Sequence, residues 1–225
     1  MTSSGAKTRL ERVGEVRISA GSVLLSGELL VPDEATGIVL FAHGSGSSRF
    51  SPRNQYVARV IREAGVGTLL FDLLTSDEEA IDMQTRHLRF DISLLARRLV
   101  DVTSWLGRVS GTNQLRSGYF GSSTGGGAAL VAAAALGEKV GAVVSRGGRP
   151  DLAGDALPLV KAPTLLIVGG RDYQVIEMNR QALARLRCEK KLEIVPGATH
   201  LFEEPGALEE VARLAGAWFA KYLSI

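Results

Sequence analysis

The feature that most constrains the fold is a series of short β-rich segments, most of them with apolar residues at consecutive positions. They are GIVLFAHG (37–44), VGTLLFDLL (66–74), SGYFGSS (117–123), GAVVSRGG (141–148), TLLIVGG (164–170) and KLEIVPG (191–197). A strand with one wet face alternates apolar and polar residues, so strands of this kind fit a sheet covered on both faces. Between them run stretches with helical spacing: RNQYVARVIREAG (53–65), HLRFDISLLARRLVDVTSWLG (87–107), STGGGAALVAAAAL (123–136), VIEMNRQALARLR (175–187) and GALEEVARLAGAWFAKYL (206–223). Alternating strand and helix with short links predicts an α/β fold, a mostly parallel sheet of about eight strands flanked by helices. EVRIS (15–19) and SVLLSGELLVP (22–32) alternate in part and predict an antiparallel N-terminal hairpin.

With 225 residues, 45% of them hydrophobic, the chain suits one domain, expected over 14–225 behind a flexible leader at 1–13. The net charge is +2 and the basic residues form no block, which argues against a nucleic-acid partner and an anionic membrane. The leader has no signal-peptide core, and the longest apolar run, AALVAAAAL (128–136), is about half the length of a membrane span; it predicts a buried helix. A single cysteine, Cys188, excludes an internal disulfide and fits a cytoplasmic location. AWFAKYL near the end is expected to be core rather than a dimer face; monomer and dimer both fit this composition.

In open α/β sheets, chemistry gathers beyond the carboxyl ends of the strands. Polar and glycine-rich residues stand in those places here: HGSGSS, Asp72, GSSTGG, RGGRPD, GGRDYQ and PGATH. Gly121-Ser122-Ser123-Thr124-Gly125 fits G-x-S-x-G centred on Ser123, between a strand-like and a helix-like run; centring on Ser122 fails, because Phe120 stands where glycine is needed. Gly121 and Gly125 flank a turn too sharp for side chains. The chance frequency of such a match makes the letters alone weak, and a plain flexible turn is the competing reading.

A serine hydroxyl needs a base, and the base an orienting acid. Of three histidines, His87 lies in a charged helical stretch and reads as surface. His43 reads as a loop-bonding residue that also reaches the site rim. His200, in the loop after the last strand, is the candidate base. Asp172 follows the seventh strand and is the candidate acid; Asp72, Asp151 and Asp155 compete, each also explicable as a cap or loop tie. The order Ser123, Asp172, His200 differs from both major serine-protease orders and is the one expected of an α/β-hydrolase. For an oxyanion hole the candidates are the N–H of Thr124 and, from HGSGSS, that of Ser45, with Gly44 next.

LFAHGSGSS, GYFGSSTGGGAAL, LLIVGGRDYQV and PGATHLFEEPG together resemble the α/β-hydrolase superfamily. More narrowly the chain is similar to its dienelactone-hydrolase-like branch, which includes small hydrolase domains alone or fused to phosphoribosyltransferases. The resemblance spans nearly everything after the leader and implies a Ser123–His200–Asp172 triad with Ser45 and Thr124 as the oxyanion hole. Dienelactone hydrolases proper use a cysteine nucleophile. Here the elbow holds serine, and Cys188 is expected on a helix away from it, which favours ordinary carboxylic esters over dienelactone.

The expected function is two-step hydrolysis of small or short-acyl esters through an acyl-enzyme, without metal or cofactor. Only residues 149–164 connect the sixth and seventh strands, too few for a lid domain. An open site follows, with His43, Arg146, Arg149 and Tyr173 as rim candidates. Alternatives on the same machinery are an acyltransferase, a peptidase or a dienelactone hydrolase. A non-catalytic hydrolase-fold binding module is another; a nucleotide-binding protein is disfavoured, because no phosphate-loop or dinucleotide fingerprint is complete.

Overall fold

Apolar residues on both sides of a strand need cover on both sides, and the structure supplies it. The computed structural model describes residues 10–224. Eight strands form one sheet: β1 (Leu10–Ala20), β2 (Val23–Pro32), β3 (Gly37–Ala42), β4 (Gly67–Phe71), β5 (Arg116–Ser122), β6 (Val140–Arg146), β7 (Thr164–Gly169) and β8 (Lys190–Val195). Their order is β1-β2-β4-β3-β5-β6-β7-β8. β1–β2 and β2–β4 pair antiparallel, and every later pair is parallel. Of the expected leader, residues 1–9 lie outside the described residues, while Leu10 already begins β1.

Among the described residues there are six α-helices, α1 (Pro52–Glu63), α2 (Ser76–Thr85), α3 (Ile92–Leu106), α4 (Thr124–Leu136), α5 (Tyr173–Arg185) and α6 (Ala207–Leu223), and all but α2 pack on the sheet. Alternate residues of β3 show the two faces. Ile38, Leu40 and Ala42 join a core with α3 and α4, while Val39 and Phe41 pack with Val57 and Ile61 of α1 and Val211, Ala215 and Phe219 of α6. Each fully buried Leu or Phe contributes about 1.5–3 kcal/mol to folding, so both faces are strongly fixed. The last helix sinks Phe219 and Leu223 into that second core, as the AWFAKYL reading expected. The alanine-rich α4 is buried from Thr124 to Leu130, between the sheet and the segment Pro150–Leu159.

Boundaries follow local chemistry. Ser51 caps α1, its hydroxyl accepting from the Asn54 N–H, with Pro52 at the first helical position. The helix expected over 87–107 starts only at Ile92, because the Asp91 carboxylate accepts from the Leu94 N–H at 2.9 Å; a 3-10 turn fills Leu88–Phe90. The unexpected helix α2 has no apolar stripe, and only Asp82 of it is buried. A capping box between Thr75 and Glu78 starts it, and the buried Asp82–Arg89 ion pair ties it to the 3-10 turn. The β6–β7 connection holds only short 3-10 turns over Pro150–Leu159. Cys188 lies beyond the end of α5 rather than on a helix, its thiol near Thr164 Oγ1 at 3.7 Å. Among the described residues no helix is long and apolar enough to cross a membrane.

Candidate active site

The carboxyl ends of β3, β5, β6, β7 and β8 bring the candidate residues to one edge of the sheet. At the end of β5, Ser123 has φ 51° and ψ −123°, a strained conformation for a residue with a side chain. The chain can turn this sharply only where its neighbours lack side chains. A Cβ on Gly125 would stand 2.1 Å from the Ala42 carbonyl oxygen, and one on Gly121 would stand 2.6 Å from that of Gly125. Ser122 is still part of the strand and is buried; Ser123 is only half-buried.

Asp172 occupies the N-cap of α5, yet its side chain makes no capping bond. Its carboxylate accepts instead from Nδ1–H of His200, at 2.6 Å, leaving Nε2 of the imidazole to accept a proton. The other three carboxylates are engaged elsewhere. Asp72 accepts from the Arg49 backbone N–H at 2.8 Å and pairs with its guanidinium; Asp151 holds Arg149, and Asp155 pairs with Arg185 at 2.9 Å. His200 is positioned from both sides. Phe202, at φ 56°, is buried just beyond it, and the Glu204 carboxylate accepts from the Thr199 N–H at 3.0 Å.

Ser123 and His200 line one cavity of about 260 Å³ with Ser45, Ser122, Arg146 and Leu201. The hydrogen bonds of the described residues include none between Ser123 Oγ and His200, so the acid and base are joined while the serine stands apart in the same cavity. Such contacts often tighten only when substrate binds.

The oxyanion candidates differ in availability. Thr124 is the first residue of α4, whose opening turn has no side-chain cap, and helix-start N–H groups lack intrahelical partners. The N–H of Ser45 is already engaged, donating to Thr124 Oγ1 at 3.0 Å. The spacing of the two motifs says nothing of this cross-link, which ties the loop after β3 to the start of α4.

His43 has both ring nitrogens on backbone. Nε2 accepts from the Leu73 N–H at 3.1 Å, and Nδ1 lies 3.0 Å from the Gly44 carbonyl, which fixes it as a neutral loop tie. Burial pushes its pKa below the ordinary histidine value. It lines a second, smaller cavity of about 40 Å³ across the loop from Ser123, with Ser45, Leu73, Leu95 and Thr124. His87 is exposed and bonds Thr85, as a surface residue should. Of the remaining rim candidates, only Arg146 lines the cavity beside Ser123. Arg149 is drawn off by its two-point contact with Asp151, at 2.9 and 2.7 Å, and Tyr173, 76% exposed, projects into solvent from the start of α5. Among the described residues no group of three or more His, Cys, Asp or Glu is placed to hold a metal ion.

Residues 27–222 match the model of the dienelactone hydrolase family. The crystal structure of a dienelactone hydrolase from Anabaena variabilis is 63% identical to this chain, with a TM-score of 0.92 over 96% of this chain and 98% of that one. Est1E from Butyrivibrio proteoclasticus is 17% identical, with a TM-score of 0.78 over 93% of this chain and 99% of that one, a likeness of fold alone. A Mycobacterium tuberculosis protein, provisionally named a phosphoribosyl transferase, is 60% identical over 209 residues; these are 93% of this chain and 46% of that relative. The chain therefore spans about half the length of the curated relatives it matches.

Proposed function

Because the chain belongs to the dienelactone hydrolase family, we propose that it is a serine hydrolase of small or short-acyl carboxylic esters, acting through an acyl-enzyme. The observation that carries this reading is the 2.6 Å contact of Asp172 with His200, which itself shares a cavity with a serine at a strained strand-to-helix turn. Ser123 Oγ attacks the ester carbonyl and passes its proton to His200 Nε2, while Asp172 stabilises the imidazolium through Nδ1–H. The Thr124 N–H receives the developing oxyanion. Ser45 joins it as second donor, its N–H held in place by Thr124 Oγ1 and shared between that oxygen and the oxyanion. Collapse of the tetrahedral intermediate expels the alcohol with the proton held by His200. Water, deprotonated by the same histidine, then releases the acid.

The cavity of about 260 Å³ that holds Ser123 and His200 has room for a short acyl group beside the serine, whereas neither residue lines the smaller cavity across the oxyanion loop. A series of p-nitrophenyl esters tests this. The reading expects acetate and propionate to be the best of these neutral esters, and a decanoate turned over faster than the acetate overturns it.

A further inference from the structure

Two arginines in this molecule are equally buried, each 7% exposed, and they are treated differently. Arg98 also has a buried Nε–H without a partner, but its charge is compensated: it pairs with Glu78 and donates to the Ala20 carbonyl at 3.2 Å. Arg146 forms no ion pair among the described residues. Its nearest polar partner is the Asn54 amide oxygen at 3.5 Å, its Nε–H is buried without a partner, and its guanidinium lies 5.8 Å from the centre of the Phe202 ring. The nearby charge is another cation, Arg53, whose Nε–H is also buried and unpartnered. Arg53 touches one acid, the well-exposed Glu203, at 3.3 Å. Burial, reinforced by Arg53, pulls the Arg146 pKa down to about 10, so the side chain is still charged at neutral pH. A buried charge is retained when it is paired or has a ligand to meet. Both arginines line the cavity of Ser123 and His200.

We propose that Arg146, assisted by Arg53, is the anion-binding end of the substrate cavity, so that the preferred ester carries a compact oxyanion, carboxylate or phosphate, a few atoms from the reacting carbonyl. Arg146 ends β6 beside the nucleophile turn, with its own carbonyl accepting from the Ser123 N–H at 3.4 Å. An anion held there fixes the substrate relative to the serine through a planar fork of donors. The inference rests on Ser123 being the nucleophile only as far as turnover is concerned; anion binding itself does not need it.

The experiment has two arms. In the first, the Ser123→Ala protein is titrated by calorimetry with inorganic phosphate and, separately, with acetate. Saturable binding of at least one is expected, weakened about tenfold or more by Arg146→Met and by Arg53→Gln. Arg146→Lys should recover part of it, and the exposed Arg59→Gln on the same helix should leave it intact. Which anion binds identifies the oxyanion.

In the second arm, kcat/KM is compared between mono-p-nitrophenyl succinate and p-nitrophenyl butyrate, and between p-nitrophenyl phosphonoacetate and the propionate. The anionic-to-neutral ratio should fall about tenfold or more in Arg146→Met. If that variant does not fold, Arg53→Gln and Arg146→Lys carry the comparison. Neutral esters turned over with no saturable anion binding and an unmoved ratio overturn this inference alone. Anion binding without any ester turnover overturns the hydrolase reading and leaves this one standing.

Discussion

The carboxylate of Asp172 sits 2.6 Å from Nδ1 of His200 although Asp172 holds the N-cap position of α5, where an aspartate would ordinarily bond its own helix. Declining the cap leaves a helix end without its side-chain bond, a cost of typically about 1 kcal/mol. The position therefore serves the imidazole at the helix's expense. Asp172→Asn should lower kcat by about 10⁴, by fixing the wrong tautomer, with little change in KM. Asp151→Asn and Asp155→Asn, whose carboxylates bind arginines, should stay within a fewfold of wild type. Steady-state kinetics on the three variants decides it, and equal losses in all three contradict the assignment.

The Ser45–Thr124 cross-link gives a second expectation. Thr124→Val keeps the shape of the side chain and removes the acceptor, so the loop after β3 loses its tie and the second oxyanion donor its position. kcat should drop about tenfold to a hundredfold, with KM less affected, and Thr124→Ser should retain most of the activity. A valine variant at least as active as wild type would show that the hydroxyl does not position Ser45.

His43 sets a pH dependence of stability. Burial holds its folded-state pKa below the ordinary 6.5, so on acidification the unfolded chain takes up this proton before the folded one does. The stabilising contribution is whole above pH 6.5 and is lost as pH falls through the lower folded-state value. Denaturant titrations of wild type and His43→Gln across this range should show a shallower acid loss in the variant. Parallel curves would mean that His43 takes up its proton at the same pH in the folded and unfolded chain, which contradicts the lowered value.

Much of this architecture is legible from residue order because the central strands β3 to β7 have no wet face; Val39 and Leu40 are adjacent, and each is fully buried against different helices. The Ser123 turn is legible because crowding admits only glycine at 121 and 125. Helix α2 is not, since a polar helix held by a capping box and the Asp82–Arg89 pair leaves no periodic signal, although T-S-D-E at 75–78 was there to be read. The engagement of Ser45 by Thr124 joins residues 79 apart in sequence, beyond any local pattern. Arg146 is visible as a rim residue, but that it lacks an acid emerges only when every neighbour of β6 is in place. Arg149 and Tyr173 look equivalent to it in sequence, and differ because one meets Asp151 and the other faces water.

Whether Ser123 is the nucleophile is decided by intact-mass measurement after reaction with a fluorophosphonate. One adduct is predicted on wild type and on Ser122→Ala, and none on Ser123→Ala. An adduct that persists in Ser123→Ala, or that disappears with Ser122→Ala instead, would place the nucleophile elsewhere.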